Sequence, residues 1–490
     1  MNLNYNIILR TGGITAILVG VLTIPSLGVS LFSHTNTVTS GLIFTMAISL
    51  VLGFAIIKQI KPSKKSLKFR EGYLSVICSL LVASVLGSFP YIWTGLLNPI
   101  DAFFESVAGF TTTSATAIGE PNLPLGLALW KASSHWFGGI CILIYLITFL
   151  PRLGHGGQQI TTAESSNSNL NKIAPKSSEI IKIIFCIYFT LTILTFILIS
   201  FSKIGIIDSL VYTFSTVSTA AVNLHNSGLL HYNNVYLEII ISIFSILSAT
   251  SFVFYFYIIK GYKNEVKKNI ETKTFILIII IFTILCNLLL FVNIGPGQYN
   301  LRSFREIIFQ VISFASTSGY TIIDYQTWPE SISYCFLILT LIGGCSASTS
   351  GSFKVIRMLI YVQLIRRGFH KRLHPRLIEP VKIGDSIVSA PLAASVTTYG
   401  LLFFIILLFS TLLLSIQGLD LETTFSAAFS SLTNIGIGFG KVGYLGEYHF
   451  FHPLLKLLLC IEMIVGRLGL YSVFLIAMPS FWQSKRKRNF

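Results

Sequence analysis

Apolar residues in this chain run in long unbroken blocks, and polar residues collect between them. The blocks occupy residues 12–31, 41–57, 72–93, 125–150, 180–199, 235–259, 274–292, 332–364, 393–414 and 453–477. A helix needs about 20 apolar residues to cross the ~30 Å hydrocarbon layer of a bilayer, so the pattern predicts ten membrane-crossing helices. The block at 12–31 has no small-residue cleavage site behind it and is read as a retained span.

Four further segments share one pattern: an acidic residue, about three turns of aromatic and aliphatic positions, then a Ser/Thr-rich run that meets a small residue. They begin at Asp101, Asp208, Glu306 and Glu422 and reach Ser114, Ala220, Gly319 and Gly436, always 12 to 14 positions later. Successive small residues stand 106, 99 and 117 positions apart, so the chain carries four copies of one unit. An acid at the head of a short helix complements its N-terminus. A helix too short to cross, flanked by spans, predicts a re-entrant segment. The loop after it is tolerated at membrane depth only if it is buried in protein or lines a watery cavity.

The expected fold is thus an all-α polytopic membrane protein. It has four pseudo-repeated helix, pore-loop, helix units around one pore, plus two extra N-terminal transmembrane helices. The expected divisions are 1–70 for the extra helices and a basic loop, 71–176 for unit 1 with a polar linker at 154–178, 177–272 for unit 2, 273–382 for unit 3, and 383–490 for unit 4 with a basic tail.

Composition agrees: 53% of residues are hydrophobic and 11% charged, which calls for lipid as the solvent. The net charge of +16 sits in loops, at Lys58 to Arg70, Lys260 to Lys268, Arg366 to Arg376 and Lys485 to Arg488. By the positive-inside rule these clusters mark the cytoplasmic face and place both termini there. They are not interleaved with stacking aromatics, which argues against nucleic acid as a partner. The seven cysteines have no paired spacing and read as small buried hydrophobes.

Short helices whose C-terminal ends converge favour a cation at the centre, and loop carbonyls can replace its water shell. The expected ligands are main-chain oxygens at Thr112, Thr113 and Ser114; Ser218, Thr219 and Ala220; Thr317, Ser318 and Gly319; and Asn434, Ile435 and Gly436. A second feature is Gly343, Gly344, Cys345, Ser346, Ala347, Ser348, Thr349, Ser350 and Gly351, whose small residues let an apolar span break. The alternative for that stretch is a helix-packing face. Arg467 lies inside the last block, where a charge must face a cavity or a partner; the alternative is an arginine that only ties helices together through backbone carbonyls. Lys131 and His135 open another block and are expected to snorkel to the interface.

These residues, with the stretches His135 to Pro151, Ile342 to Arg357 and Glu462 to Trp482, resemble the TrkH/TrkG branch of the Trk/Ktr/HKT superfamily over nearly the whole chain. The resemblance implies a K+ uptake subunit of the bacterial inner (plasma) membrane, not an enzyme and without an organic cofactor. It also implies a homodimer controlled by a cytosolic, nucleotide-binding TrkA-type subunit. The stretch at Gly343 becomes an intramembrane gate loop, with Ala347, Ser350 and Ser352 where the family commonly has glycine, and Arg467 a barrier beside it. The usual family acid two positions after Arg467 is Gly469 here, which leaves Glu462 as a poorly placed counter-charge. The family's filter glycine is matched by Ser114 and Ala220 in the first two loops. In plant relatives a first-loop serine goes with sodium permeation, so a mixed Na+/K+ pathway stays open. A proton-coupled symporter fits less well, because no chain of carboxylates or histidines occupies the apolar blocks. A membrane-embedded enzyme would need such a cluster too, and the histidines fall mostly in loops.

Overall fold

In the computed structural model, residues 3–61, 69–119, 123–149, 177–225, 227–295, 299–376 and 379–482 are described. The polar linker, the basic tail and part of the first basic loop fall outside these residues. Two long helices, Tyr5–Phe32 and Asn36–Gln59, pack on each other and on Phe69–Trp93. After them, span, short helix, loop and span recur four times. The short helices are Pro99–Phe110, Ile206–Val217, Leu301–Ser316 and Leu421–Thr433. Each is largely buried, whereas long spans such as Ile270–Ile294 and Ala390–Ser415 turn Ile284, Leu288, Leu408 and Leu412 outward, the surface expected of lipid-facing helices.

Packing joins neighbouring units, and a hydrogen bond from Tyr325 Oη of unit 3 to the Gly438 carbonyl of unit 4 (2.5 Å) completes the circuit. The second short helix packs against Leu125–Phe149 of unit 1, the third against Val235–Ala249 of unit 2, and the first against Pro453–Leu468 of unit 4. Two ion pairs follow the same neighbours: Lys456 to Asp101 (2.5 Å) and Arg305 to Glu238 (3.0 Å). The heads of three short helices carry side-chain caps from Asn98, Asn300 and Asp420, which satisfy N–H groups that a helix cannot bond internally. Asp101, Asp208 and Glu422 lie in the first turn as expected. Glu306 does not: its helix starts five residues earlier, at Leu301, and Arg302 bonds it from the preceding turn (2.8 Å).

Among the described residues, seven of the ten predicted spans are single helices long enough to cross. The other three break. The stretch 332–364 opens at Gly343 and resumes as Val355–Leu373, as its small residues foretold. Two breaks were not foreseen: Val235–Ala249 and Phe252–Ile259 meet at 86°, and Gly469 (φ +85°) separates Pro453–Leu468 from Leu470–Ala477. On the side of the basic loops, a small hairpin pairs Lys382–Ile383 with Ser386–Ile387. The buried-cysteine reading holds for Cys286, Cys335, Cys345 and Cys460, while Cys141 and Cys186 are exposed and Cys78 is half-buried.

Close approach at the ring depends on glycine. A Cβ at Gly138 would lie 2.3 Å from the carbonyl oxygen of Phe110, and one at Gly466 would lie 2.1 Å from that of Leu432, each at the end of a short helix. Overpacking of this kind typically costs about 1–3 kcal/mol. Gly138→Ala is expected to lower the melting temperature in detergent, read by thermal unfolding against wild type, while Gly28→Ala, which has open space around it, leaves it unchanged.

Candidate functional site

The four loops leave their short helices in the same way. One residue takes left-handed backbone: Thr112 (φ +53°), Thr219 (+53°), Thr317 (+56°) and Asn434 (+57°). The N–H of the next residue then reaches back to the short helix, Thr113 to Ala108 (2.9 Å), Ala220 to Ser215 (2.9 Å), Ser318 to Ser313 (3.0 Å) and Ile435 to Ser430 (3.1 Å). This repeat fixes the register of the loops against one another. The third position is Ser114, Gly319 and Gly436 as expected, but in the second loop it is Ala221. Ala220, matched from sequence, aligns instead with Thr113. Gly319 (φ +72°) and Gly436 (φ +84°) use backbone that favours glycine, whereas Ser114 and Ala221 do not adopt positive φ.

Ser114 touches all three other loops. Its N–H donates to the Ile435 carbonyl (3.2 Å), its hydroxyl donates to the Ser318 carbonyl (2.9 Å), and that hydroxyl accepts from the Ala221 N–H (2.7 Å). The Ala221 N–H also donates to Ser318 (2.7 Å), and Asn434 Nδ2 donates to Thr113 Oγ1 (3.1 Å). The predicted residues are therefore brought together at one point. Three of their carbonyls, those of Ala220, Ser318 and Ile435, are engaged by protein donors, Ala220 by His135 Nδ1 (3.1 Å), while that of Thr113 at the same position and those of Ser114, Ala221, Gly319 and Gly436 accept none among the described residues. The carbonyls of Thr112, Thr219, Thr317 and Asn434, one residue earlier, accept no hydrogen bond among the described residues. Thr112 Oγ1 and Asn434 Oδ1 are buried and unpartnered as well. Unengaged oxygens at equivalent positions of four loops that bond one another are suited to a cation.

The break at 343–354 lies directly beneath. Gly351 N–H donates to Thr317 Oγ1 (2.8 Å), and a Cβ at Gly351 would meet the Thr433 carbonyl at 2.1 Å. The loop is tied to the second break: Cys345 N–H to Ala249 O (2.9 Å), Thr349 N–H to Ser248 O (3.3 Å) and Phe252 N–H to Ala347 O (2.9 Å). Charged groups hold it too. Arg467 Nη1 donates to the Thr349 carbonyl (2.7 Å), Glu271 accepts from the Ser346 N–H (2.5 Å) and hydroxyl (2.7 Å), and Lys354 donates to the Ser350 carbonyl. Glu462, the counter-charge considered for Arg467, is buried on the same helix but does not pair with it among the described residues; a peptide oxygen does so instead. Ala347 (φ +51°) and Ser352 (φ +71°), where the resembled family commonly has glycine, do adopt left-handed backbone. Each carries a strain of about 1–2 kcal/mol.

Lys131 and His135 do not snorkel. Both are buried, His135 on the Ala220 carbonyl and Lys131 in an ion pair with Glu105, which is fully buried. Glu105 also accepts from Thr116 Oγ1 (3.1 Å) and the Ala117 N–H (2.8 Å), and so clamps the chain leaving the first loop. Thr116 in turn exchanges backbone bonds with Gly446 (2.9 Å) and Tyr448 (2.7 Å) of the fourth unit. A cavity of about 60 Å³ adjoins the ring, lined by Ser114, Thr116, Lys131, Ala221 and Asn223 among others. Sequence reasoning passed over Glu105 and Glu271; a carboxylate one turn inside a short helix and one at the foot of a span were the available signals.

Residues 34–484 match the family described as TrkH, cation transport protein. The chain is similar to the Trk system potassium uptake protein TrkH of Salmonella typhimurium (strain LT2), 29% identical over 445 residues that cover 90% of this chain and 91% of that one. It is similar to the Trk system potassium uptake protein TrkG of Escherichia coli (strain K12), 28% identical over 448 residues, 90% and 91% of the two chains. The crystal structure of the potassium transporter TrkH from Vibrio parahaemolyticus superposes with a TM-score of 0.87 at 26% identity, over 98% of this chain and 100% of that one.

Removing one partner of a buried ion pair typically costs about 3–5 kcal/mol, because the other charge is left uncompensated. Lys131→Met is expected to lower thermal stability in detergent strongly, and the pair Glu105→Gln with Lys131→Met to recover most of the loss. Equal destabilisation in the single and double variants would contradict a direct pairing.

Proposed function

We propose that this chain, which belongs to the TrkH family of cation transport proteins, is a potassium uptake subunit whose four loops form the selectivity filter. The observation that carries the reading is the ring of unengaged carbonyls at Thr112, Thr219, Thr317 and Asn434, at the C-terminal ends of four converging helices. Helix ends supply negative potential without a carboxylate, and the carbonyls replace the hydration shell of a dehydrated K+. Ser114, Ala221, Gly319 and Gly436 shape the neighbouring layer. Below it the loop 343–354 is the gate, with Arg467 placing a fixed positive charge against it. K+ is the transported ion, and the chain needs no organic cofactor for this.

The basic-loop side is cytoplasmic by the positive-inside rule, in a bacterial inner membrane. The relatives are named as proteins of a Trk system, which supports a partner beyond this chain; that partner is read as a cytosolic, nucleotide-binding subunit of the TrkA type, and the working assembly as a homodimer. A second reading has a specific observation behind it. The Ser114 hydroxyl bonds two neighbouring loops where a glycine could make no such bond, so the filter departs from fourfold symmetry, which supports Na+ as a co-permeant ion.

Reversal potentials in K+ and Na+ gradients across a planar bilayer test both. Wild type is expected to prefer K+ with measurable Na+ permeability. Ser114→Gly is expected to raise the K+/Na+ ratio by about tenfold, equivalent to ~1.4 kcal/mol in relative ion affinity, and Ala221→Gly by less. An unchanged ratio in both variants would remove the filter assignment, and Rb+ uptake strictly coupled to proton flux would replace the channel by a symporter.

A further inference from the structure

We propose that Glu271 is the positioning residue that latches the gate loop to the cytoplasmic hairpin, so that moving the hairpin releases the loop; the proposal rests on the gate reading above. Glu271 stands in the first turn of Ile270–Ile294, and its carboxylate is buried in protein. Both its oxygens are committed to one residue of the loop, through the N–H and the hydroxyl of Ser346. Bonds from a charged group are worth more than neutral ones, and two to one residue fix its orientation as well as its position. Ser346 lies between Cys345, bonded to Ala249, and Ala347, bonded to Phe252, so this attachment meets the loop where it crosses to the other broken helix.

The other end of the connection faces the basic-loop side. The residues next to Glu271 contact the hairpin: Ile270 lies so close to Gly384 that a Cβ there would be 2.5 Å from it, and Lys268 pairs with Asp385 (2.7 Å). Lys268 holds the Asp385 carboxyl below its ordinary range, although both are exposed. A cavity of about 40 Å³, lined by Lys268, Asn269, Glu271, Ile356, Asp385 and Ser386, lies beside this contact. Asn269 caps the helix through Thr272 N–H (2.9 Å), which keeps the foot of the span rigid. Hairpin, helix foot, carboxylate and gate loop are thus in continuous contact.

The test is Rb+ uptake into proteoliposomes that hold the full chain and no other protein, with Arg467→Ala as the control for the gate itself. Glu271→Gln is expected to raise basal flux by about tenfold, the loss expected for one charged hydrogen-bonded attachment, with the K+/Na+ reversal potential unchanged. Ser346→Ala keeps the backbone bond and is expected to raise flux less; the double variant is expected to match Glu271→Gln alone. Wild-type flux in Glu271→Gln, while Arg467→Ala raises it, overturns the latch and leaves the gate standing. Wild-type flux in both overturns the gate reading and the latch with it. Additive rises in the two single variants overturn the latch as well. If Glu271→Gln does not assemble, Ser346→Ala decides: a rise supports the latch and no rise overturns it.

Discussion

A peptide group inside a bilayer has no water to bond, and every N–H or C=O left open there costs several kcal/mol. Four stretches of non-helical backbone at that depth are affordable in this chain only because they bond one another. Ser114 joins its loop to Ile435, Ser318 and Ala221, and Asn434 adds a side-chain tie to Thr113. The rest of the architecture serves this closure: three of the short helices pack on a neighbouring unit, ion pairs bridge neighbours, and glycines at 138, 351 and 466 let backbone approach helix ends. The same constraint explains which oxygens remain open. Donors are scarce at the ring, and the carbonyls of the left-handed residues are left without a fixed donor among the described residues.

The ring is not fourfold in detail. Gly319 and Gly436 sit in positive φ, while Ser114 and Ala221 carry a Cβ on ordinary backbone. The two halves therefore meet as side chain against backbone: a Cβ at Gly319 would lie 2.5 Å from the Ser114 hydroxyl oxygen, and one at Gly436 2.5 Å from the Ser114 N. Serine fills space that its glycine neighbours vacate. The proposed filter and the proposed gate loop are joined physically, because Gly351 N–H donates to Thr317 Oγ1 of the third loop. Charges at 271 and 467 hold that loop from neighbouring helices, and Lys354 braces it from within.

Much of this was legible in the sequence. The four-unit repeat showed itself because composition at the short helices is constrained twice, by their heads and by the Ser/Thr-rich loops. The break at Gly343 announced itself through its run of small residues. The bend at Thr250 and Ser251 did not, because apolar residues continue on both sides and the break is stabilised by bonds from the distant residues 345–349. The one-residue register error at Ala220 has a similar origin: two adjacent alanines look alike, and only the left-handed turn at Thr219 and the bond from Ala220 to Ser215 distinguish them. Lys131 was misread because a lysine near the end of an apolar block normally reaches for the interface; its partner Glu105 lies 26 positions away in the sequence, on another element.

The central claim is that peptide oxygens of four loops hold one dehydrated alkali ion. Anomalous scattering from crystals grown in Tl+ in place of K+ tests it most directly. A peak is expected on the axis of the ring, within coordination distance of the carbonyls of Thr112, Thr219, Thr317 and Asn434. Thallium bound only elsewhere, with the ring empty, would contradict it.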